Sequence, residues 1–224
     1  MRNLFVVFEI YAICLFNFEF TLEPIIMKAT LLNISFIFVL MSLMVAGCKK
    51  EEETLLEISP QSISPIIQKE VKGVEFKFCL VNEEGEPATV FKEGENFTFQ
   101  FSIKNKTAQA IPFYDYGFYT TDDFFSVRSE GEDFGKPFKF IGFSLTKELR
   151  YILSDGYANF IVPWHEERIE FQAMHGIFEG LKQPYLKKGK YFTQFTYNFT
   201  FGDPNKKPDI KTGMFNLKIN FEIK

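Results

Sequence analysis

The plainest pattern along this chain is strict alternation of apolar and polar positions. Val74-Glu75-Phe76-Lys77-Phe78 alternates over five residues, and Phe97-Thr98-Phe99-Gln100-Phe101-Ser102-Ile103 does so without a break. A period of two predicts strands with one face in a core. Asn82-Glu83-Glu84-Gly85-Glu86-Pro87 is a turn cluster between them, and Lys104-Asn105-Lys106-Thr107 is polar turn material after the second. Shorter β-like runs follow at Ile111 to Phe113, Phe124 to Val127, Phe138 to Leu145 and Ile169 to Phe171. Tyr191 to Phe201 and Met214 to Ile223, separated by Gly202-Asp203-Pro204-Asn205 and a lysine-rich loop, read as a closing hairpin. No long helical period emerges. The pattern predicts an all-β antiparallel sandwich of about seven to nine strands. Thr54 to about Lys69 holds Pro60 and Pro65 and no sustained period, so it reads as a linker. A folded domain is expected over 71–224, preceded by a flexible tether over 48–70.

Composition supports strands and narrows the partners. The chain carries 30 Phe, 9 Tyr and 1 Trp, and aromatic rings of this kind pack well on a pleated, half-buried surface. With so many Phe, most must be core. The net charge of -4 is scattered rather than pooled, so there is no basic field for a phosphate backbone and nucleic acid is excluded as an expected partner.

The N-terminal region changes the picture from a plain globular domain to one that is exported. Starting at Met27, the chain reads MKATLLNISFIFVLMSLMVAGC: Lys28 as a short positive region, an apolar centre, then small residues before Cys48. Val45-Ala46-Gly47-Cys48 resembles the lipobox of bacterial lipoproteins. That resemblance implies a signal peptide over 27–47, cleavage before Cys48, lipid on the Cys48 thiol and a membrane partner held through that lipid. Asn33 and Ser35 interrupt the run, which argues against a spanning helix. Residues 1–26 contain Glu9, Asn17, Glu19 and Glu23, ill suited to the start of a signal, and are expected to be an upstream extension of the gene model. Lys49-Lys50-Glu51-Glu52-Glu53 directly after the cysteine is similar to the surface-export signal of Bacteroides-type lipoproteins. It implies an outer-membrane, cell-surface location, the alternative being a spacer facing the periplasm.

Two further stretches carry a fold resemblance. Leu186-Lys187-Lys188-Gly189-Lys190-Tyr191 resembles the entry to the penultimate long strand of immunoglobulin-like domains, where a tyrosine hydroxyl bonds back to the preceding loop. Gly94-Glu95-Asn96-Phe97, leading into a strand that ends at Lys104-Asn105-Lys106, is similar to the opening of bacterial immunoglobulin-like modules, including the intracellular proteinase inhibitor type. The resemblance implies an immunoglobulin-like sandwich with Tyr191 at a structural corner. Residues 114 to 180 depart from it and are where an insertion or binding loops are expected.

A search for chemistry finds little. The two histidines, His165 and His175, have the wrong spacing for a helical zinc motif. Asp122-Asp123 and Glu130, Glu132 and Asp133 lack the alternate spacing around a tight glycine of a calcium loop. No phosphate loop or nucleophile elbow is present. Cys79, between Phe78 and Leu80, reads as a packed side chain. Asn96-Phe97-Thr98 is formally a glycosylation acceptor without meaning in this setting. No metal, cofactor or catalytic residue is expected. Among the aromatics, Tyr116, Tyr119 and Trp164 are the candidate ligand contacts, because exposed rings on a rigid sandwich stack on sugars or anchor a protein interface. The expected function is a non-enzymatic binding or adhesion module for a glycan or protein. The rival is a proteinase inhibitor-like or envelope-assembly periplasmic lipoprotein.

Overall fold

The computed structural model describes residues 54–60, 62–113, 117–143, 150–171, 176–202 and 210–224. The chain divides into two compact units, 1–50 and 51–224, and everything described belongs to the second. The expected extension over 1–26, the expected signal peptide over 27–47, Cys48 and the first residues of the expected tether lie outside the described residues, as do Tyr116 and His175.

Among the described residues fifteen strands follow one another. They are β1 (Thr54–Ile58), β2 (Ile66–Val71), β3 (Val74–Val81), β4 (Val90–Phe91), β5 (Thr98–Asn105), β6 (Ile111–Phe113), β7 (Val127–Ser129) and β8 (Glu132–Gly135). Next come β9 (Phe138–Phe143), β10 (Arg150–Ile152), β11 (Tyr157–Pro163), β12 (Glu170–Phe171), β13 (Gly176–Gly180), β14 (Gly189–Phe201) and β15 (Ile210–Ile223). The helical content of the described residues is one 3-10 turn, Phe118–Thr120.

One sheet has the order β12-β11-β5-β3-β2, every neighbour antiparallel. The other has the order β1-β15-β14-β6-β10; β4 also pairs with β15, β7 with β14, and β8 with β7. In it β1 and β4 run parallel to β15, and the remaining pairs are antiparallel. A separate two-stranded ribbon joins β9 to β13. The described residues are thus nearly all β, in a sandwich-like layout.

The layers are joined by phenylalanine. Alternation puts Phe76 and Phe78 of β3, Phe99 and Phe101 of β5, and Phe195, Phe199 and Phe201 of β14 on inner faces. Phe76 meets Phe199 at 5.0 Å and Phe215 at 4.9 Å between ring centroids, and Phe78 meets Phe195 at 5.5 Å. Burying each ring is worth roughly 1.5–3 kcal/mol, and edge-to-face pairs add to it. This core holds the domain without a disulfide; Cys79 is a free, buried thiol.

The sandwich has two distinguishable ends. Val74, Asn105 and Tyr157 lie at one, since Val74 pairs with Asn105 and Tyr157 with Lys104. Val81, Thr98 and Pro163 lie at the other. β1 enters opposite Phe215 and runs parallel to β15 toward Ile223, which pairs with Phe91 beside Phe97. β1 therefore starts at the first, or entry, end and heads for the far end.

Two expectations are corrected. The segment read as tether up to residue 70 supplies β1 and β2, so the folded unit starts before residue 71. Its hydrogen-bond partners are β15 and β3, and pairing with a strand some 160 residues away leaves no local period. Pro60 and Pro65 punctuate the crossing between the two strands. Phe124 and Phe125 sit in a turn rather than a strand, with Phe125 at φ 58° and both rings buried. The strand there begins at Val127.

Candidate functional site

At the far end, β3 runs out into a turn closed by local bonds. Asn82 N donates to Glu86 O at 2.9 Å, Glu86 N donates to Asn82 Oδ1 at 2.8 Å, and Gly85 supplies the positive φ of 81° that the turn requires. The turn projects Glu83, whose Oε1 accepts from Asn96 N at 3.0 Å. The Asn96 side chain then ties down the loop after β11. Its Nδ2 donates to Glu166 Oε1 at 3.1 Å and its Oδ1 accepts from His165 N at 2.9 Å. One amide thus clasps two loops to the end of the sheet.

Between these loops lies a cleft of ≈ 430 Å³. Asn82, Asn96, Thr98, Gln100, Glu166 and Arg168 line it, with Val81 and Ile161 as its apolar floor. Arg168 Nε stands 3.9 Å from Glu166 Oε2, and both side chains are exposed. Such a set offers amide, hydroxyl, carboxylate and guanidinium groups at once. It can donate to and accept from a polar ligand. It holds no nucleophile paired with a base.

Of the candidate contacts, Trp164 is 1% exposed. Its ring stacks on Phe97 at 5.7 Å and 11°, its Nε1 donates to Pro184 O at 2.8 Å, and its backbone N donates to Phe97 O at 2.8 Å. It supports the His165–Arg168 loop from beneath and has no face left for a ligand. Tyr119 is fully buried against Phe118 and Phe178. Both are core side chains, because a large ring on this sandwich gains more by burial than by exposure. Tyr191 Oη donates to Lys187 O at 2.7 Å.

The remaining polar candidates are engaged locally. His165 Nδ1 pairs with Gln183 O, and its ring stacks on Tyr185 at 3.6 Å. Asp123 Oδ2 accepts from Thr196 N at 3.1 Å. Asp133 accepts from Gly135 N at 2.8 Å and from Arg128 Nε at 3.0 Å. Burial works to raise its pKa, but those two donors outweigh it and hold the carboxyl below its ordinary value. Among the described residues no group of three or more His, Cys, Asp or Glu converges on a point. Burial pushes the Cys79 thiol up to about 11 despite the Lys77 charge, so it stays protonated. Glu83, Asn96, Gln100, Arg168 and Tyr185 are the cleft-end residues that sequence reasoning missed. The available signal was slight: a turn cluster before one alternating strand and a charged loop after Pro163-Trp164, with nothing to say that they meet.

Compared with family models, curated proteins and solved structures, the chain matches none.

Proposed function

We propose that this chain is a lipid-anchored lipoprotein of the outer-membrane surface, and that its immunoglobulin-like sandwich is a non-enzymatic module binding a glycan in the far-end cleft. The observation that carries the binding site is the opposition of two features. The chain enters β1 opposite Phe215 and runs away from the entry end, while the cleft opens between the Asn82–Glu86 turn and the Glu166–Arg168 loop at the other end. A domain tethered at one end presents its ligand groups at the end remote from the anchor.

Strand order supports the immunoglobulin-like reading. β3, β5 and β11 are neighbours as strands A, B and E are in such domains, and β6, β14 and β15 as C, F and G are, whereas β12 follows β11 in the chain and so does not take the place of strand D. After β3 the chain crosses to β4 and pairs parallel with β15. The Tyr191 hydroxyl reaches back to Lys187 at the start of the penultimate strand, which is the bond of a tyrosine corner. The anchor itself rests on the Val45-Ala46-Gly47-Cys48 sequence and the surface location on the acidic run behind it.

A sugar suits the cleft because each hydroxyl both donates and accepts, and amides beside a carboxylate and a guanidinium answer both needs. Tyr185, half exposed and stacked on His165, lies next to the cleft loop as a ring on which a sugar can rest. Glycan-array binding by the full chain is the test, with Arg168→Ala and Gln100→Ala as variants. Binding weakened by about tenfold or more in Arg168→Ala agrees with loss of a charged hydrogen bond. No glycan bound, or binding by both variants equal to that of the unaltered chain, contradicts the reading. Inhibition of a protease panel in place of glycan binding turns it toward the inhibitor-like alternative.

A further inference from the structure

The entry end carries an exposed feature unconnected with the cleft. β10 and β11 are joined there by a short turn in which Gly156 N donates to Leu153 O at 2.8 Å. The turn is fastened to its neighbours: Asp155 N donates to Asn105 O at 2.8 Å, Asn105 N to Gly156 O at 3.0 Å, and Ser154 Oγ to Thr107 O at 2.7 Å. Asn105, itself fully buried, donates through Nδ2 to Ile152 O at 2.9 Å. On this rigid tip the large side chains point to water. Leu153 is 67% exposed, Tyr157 53% and Tyr151 52%. A single exposed apolar residue is ordinary, but here three fall within seven positions of one well-fastened tip.

The course of the chain selects what covers it. Thr54, the first residue of β1, lies at the entry end, because β1 runs parallel to β15 toward the far end. Cys48 stands six residues before Thr54, a reach of about 20 Å at full extension. On the lipid-anchor reading, that length of chain limits how far Thr54 can stand from the bilayer.

We infer that Tyr151, Leu153 and Tyr157 form a membrane-contact tip that seats in the headgroup region of the leaflet holding the Cys48 lipid, an inference that rests on the lipid-anchor reading. Tyrosine suits that depth, with its ring toward the acyl boundary and its hydroxyl among the headgroups. Leu153, at the apex, reaches deepest. Exposed Arg150, and Lys104, whose Nζ lies 5.1 Å from the centre of the Tyr157 ring, stand at the height of lipid phosphates. The contact adds apolar area to the lipid anchor and orients the sandwich with its cleft outward.

The test labels Leu153→Cys with a nitroxide in the full chain, purified with its lipid and reconstituted into phosphatidylethanolamine and phosphatidylglycerol vesicles. Buried Cys79 remains unlabelled. Glu84→Cys, in the exposed far-end turn, serves as the water-facing reference, and Tyr157→Cys as a second reporter. Access of a water-soluble nickel relaxant is expected to fall severalfold at 153 and 157 on vesicle binding and to stay unchanged at 84. Equal access at 153 and 84 on protein that floats with the vesicles overturns the tip while leaving the anchor standing. Protein that does not float overturns both. Protection at 153 that needs no vesicles and grows with protein concentration gives the tip to a second copy and overturns the membrane contact.

Discussion

Tyr191 Oη donates to Lys187 O at 2.7 Å while its ring stacks on Phe221 at 5.6 Å. The bond fixes the loop that delivers the chain into β14, the longest antiparallel partner of β15. Burial, with Glu132 and Glu93 nearby, raises the phenol pKa, so the donor stays protonated below about pH 10. Tyr191→Phe keeps the ring and deletes the bond. Denaturant unfolding is expected to show a loss of about 1 kcal/mol, with glycan binding unchanged.

Asn105 is the larger dependency. Its Nδ2 donates to Gln109 O at 2.7 Å and to Ile152 O at 2.9 Å, and its Oδ1 accepts from Thr107 N at 2.9 Å and Thr107 Oγ1 at 2.6 Å. Asn105→Ala takes a buried partner from Ile152 O and partly buried ones from Gln109 O and Thr107, and is expected to cost about 3 kcal/mol. Lys106→Ala, which removes an exposed ion pair with Glu70 and a longer one with Glu75, is expected to cost much less than Asn105→Ala. Equal losses in the two variants would contradict this assignment.

Cys79 should be chemically silent. Its thiol pKa is pushed from 9.0 to about 11, so at pH 8 the native chain is expected to resist a thiol reagent at this position and to react on unfolding. The sign of the pH dependence follows. The folded pKa is raised, so the contribution to stability is complete below pH 9.0 and declines as the pH rises toward about 11. Rapid labelling of native Cys79 at pH 8 would contradict its burial.

Glu57 works the other way. Lys218 Nζ at 2.9 Å and Asn220 Nδ2 at 2.7 Å hold its carboxyl below 4.5. A lowered folded pKa gives stability that is present above 4.5 and lost as the pH falls through the folded value. These bonds fasten β1 to β15, so amide exchange in β1 is expected to quicken at acid pH, with Glu57→Gln removing most of the change. Exchange in β1 that is indifferent to pH after correction for intrinsic rates would count against it.

The strands legible in the sequence are those whose own alternation reports a buried face. Val74–Phe78, Phe97–Ile103 and the closing hairpin read directly, because one face of each meets the core and the other does not. β1 and β4 could not be read, since each is an edge strand parallel to β15 and owes its form to that partner. β11 is a different case. Ala158, Phe160 and Val162 do alternate inward, yet they lie in the segment 114 to 180, where the sequence leads one to expect loops. That segment in fact divides, supplying β11 to the interior of one sheet and β9 and β13 to a separate ribbon. The cleft was illegible for a simpler reason. Asn96 and Glu166 are 70 positions apart, and no local pattern declares such a meeting. Trp164 drew notice as the lone tryptophan, but rarity says nothing of exposure; the ring supports the cleft loop from the core.

The central claim, that this sandwich is held to a membrane by lipid on Cys48, is tested most directly by mass spectrometry of the chain made in a Gram-negative host. The account predicts a mature N-terminus at Cys48 carrying a diacylglyceryl group, with Cys48→Ala abolishing both the modification and membrane association. An unmodified peptide running from Val45 through Glu51 in the mature protein would contradict it.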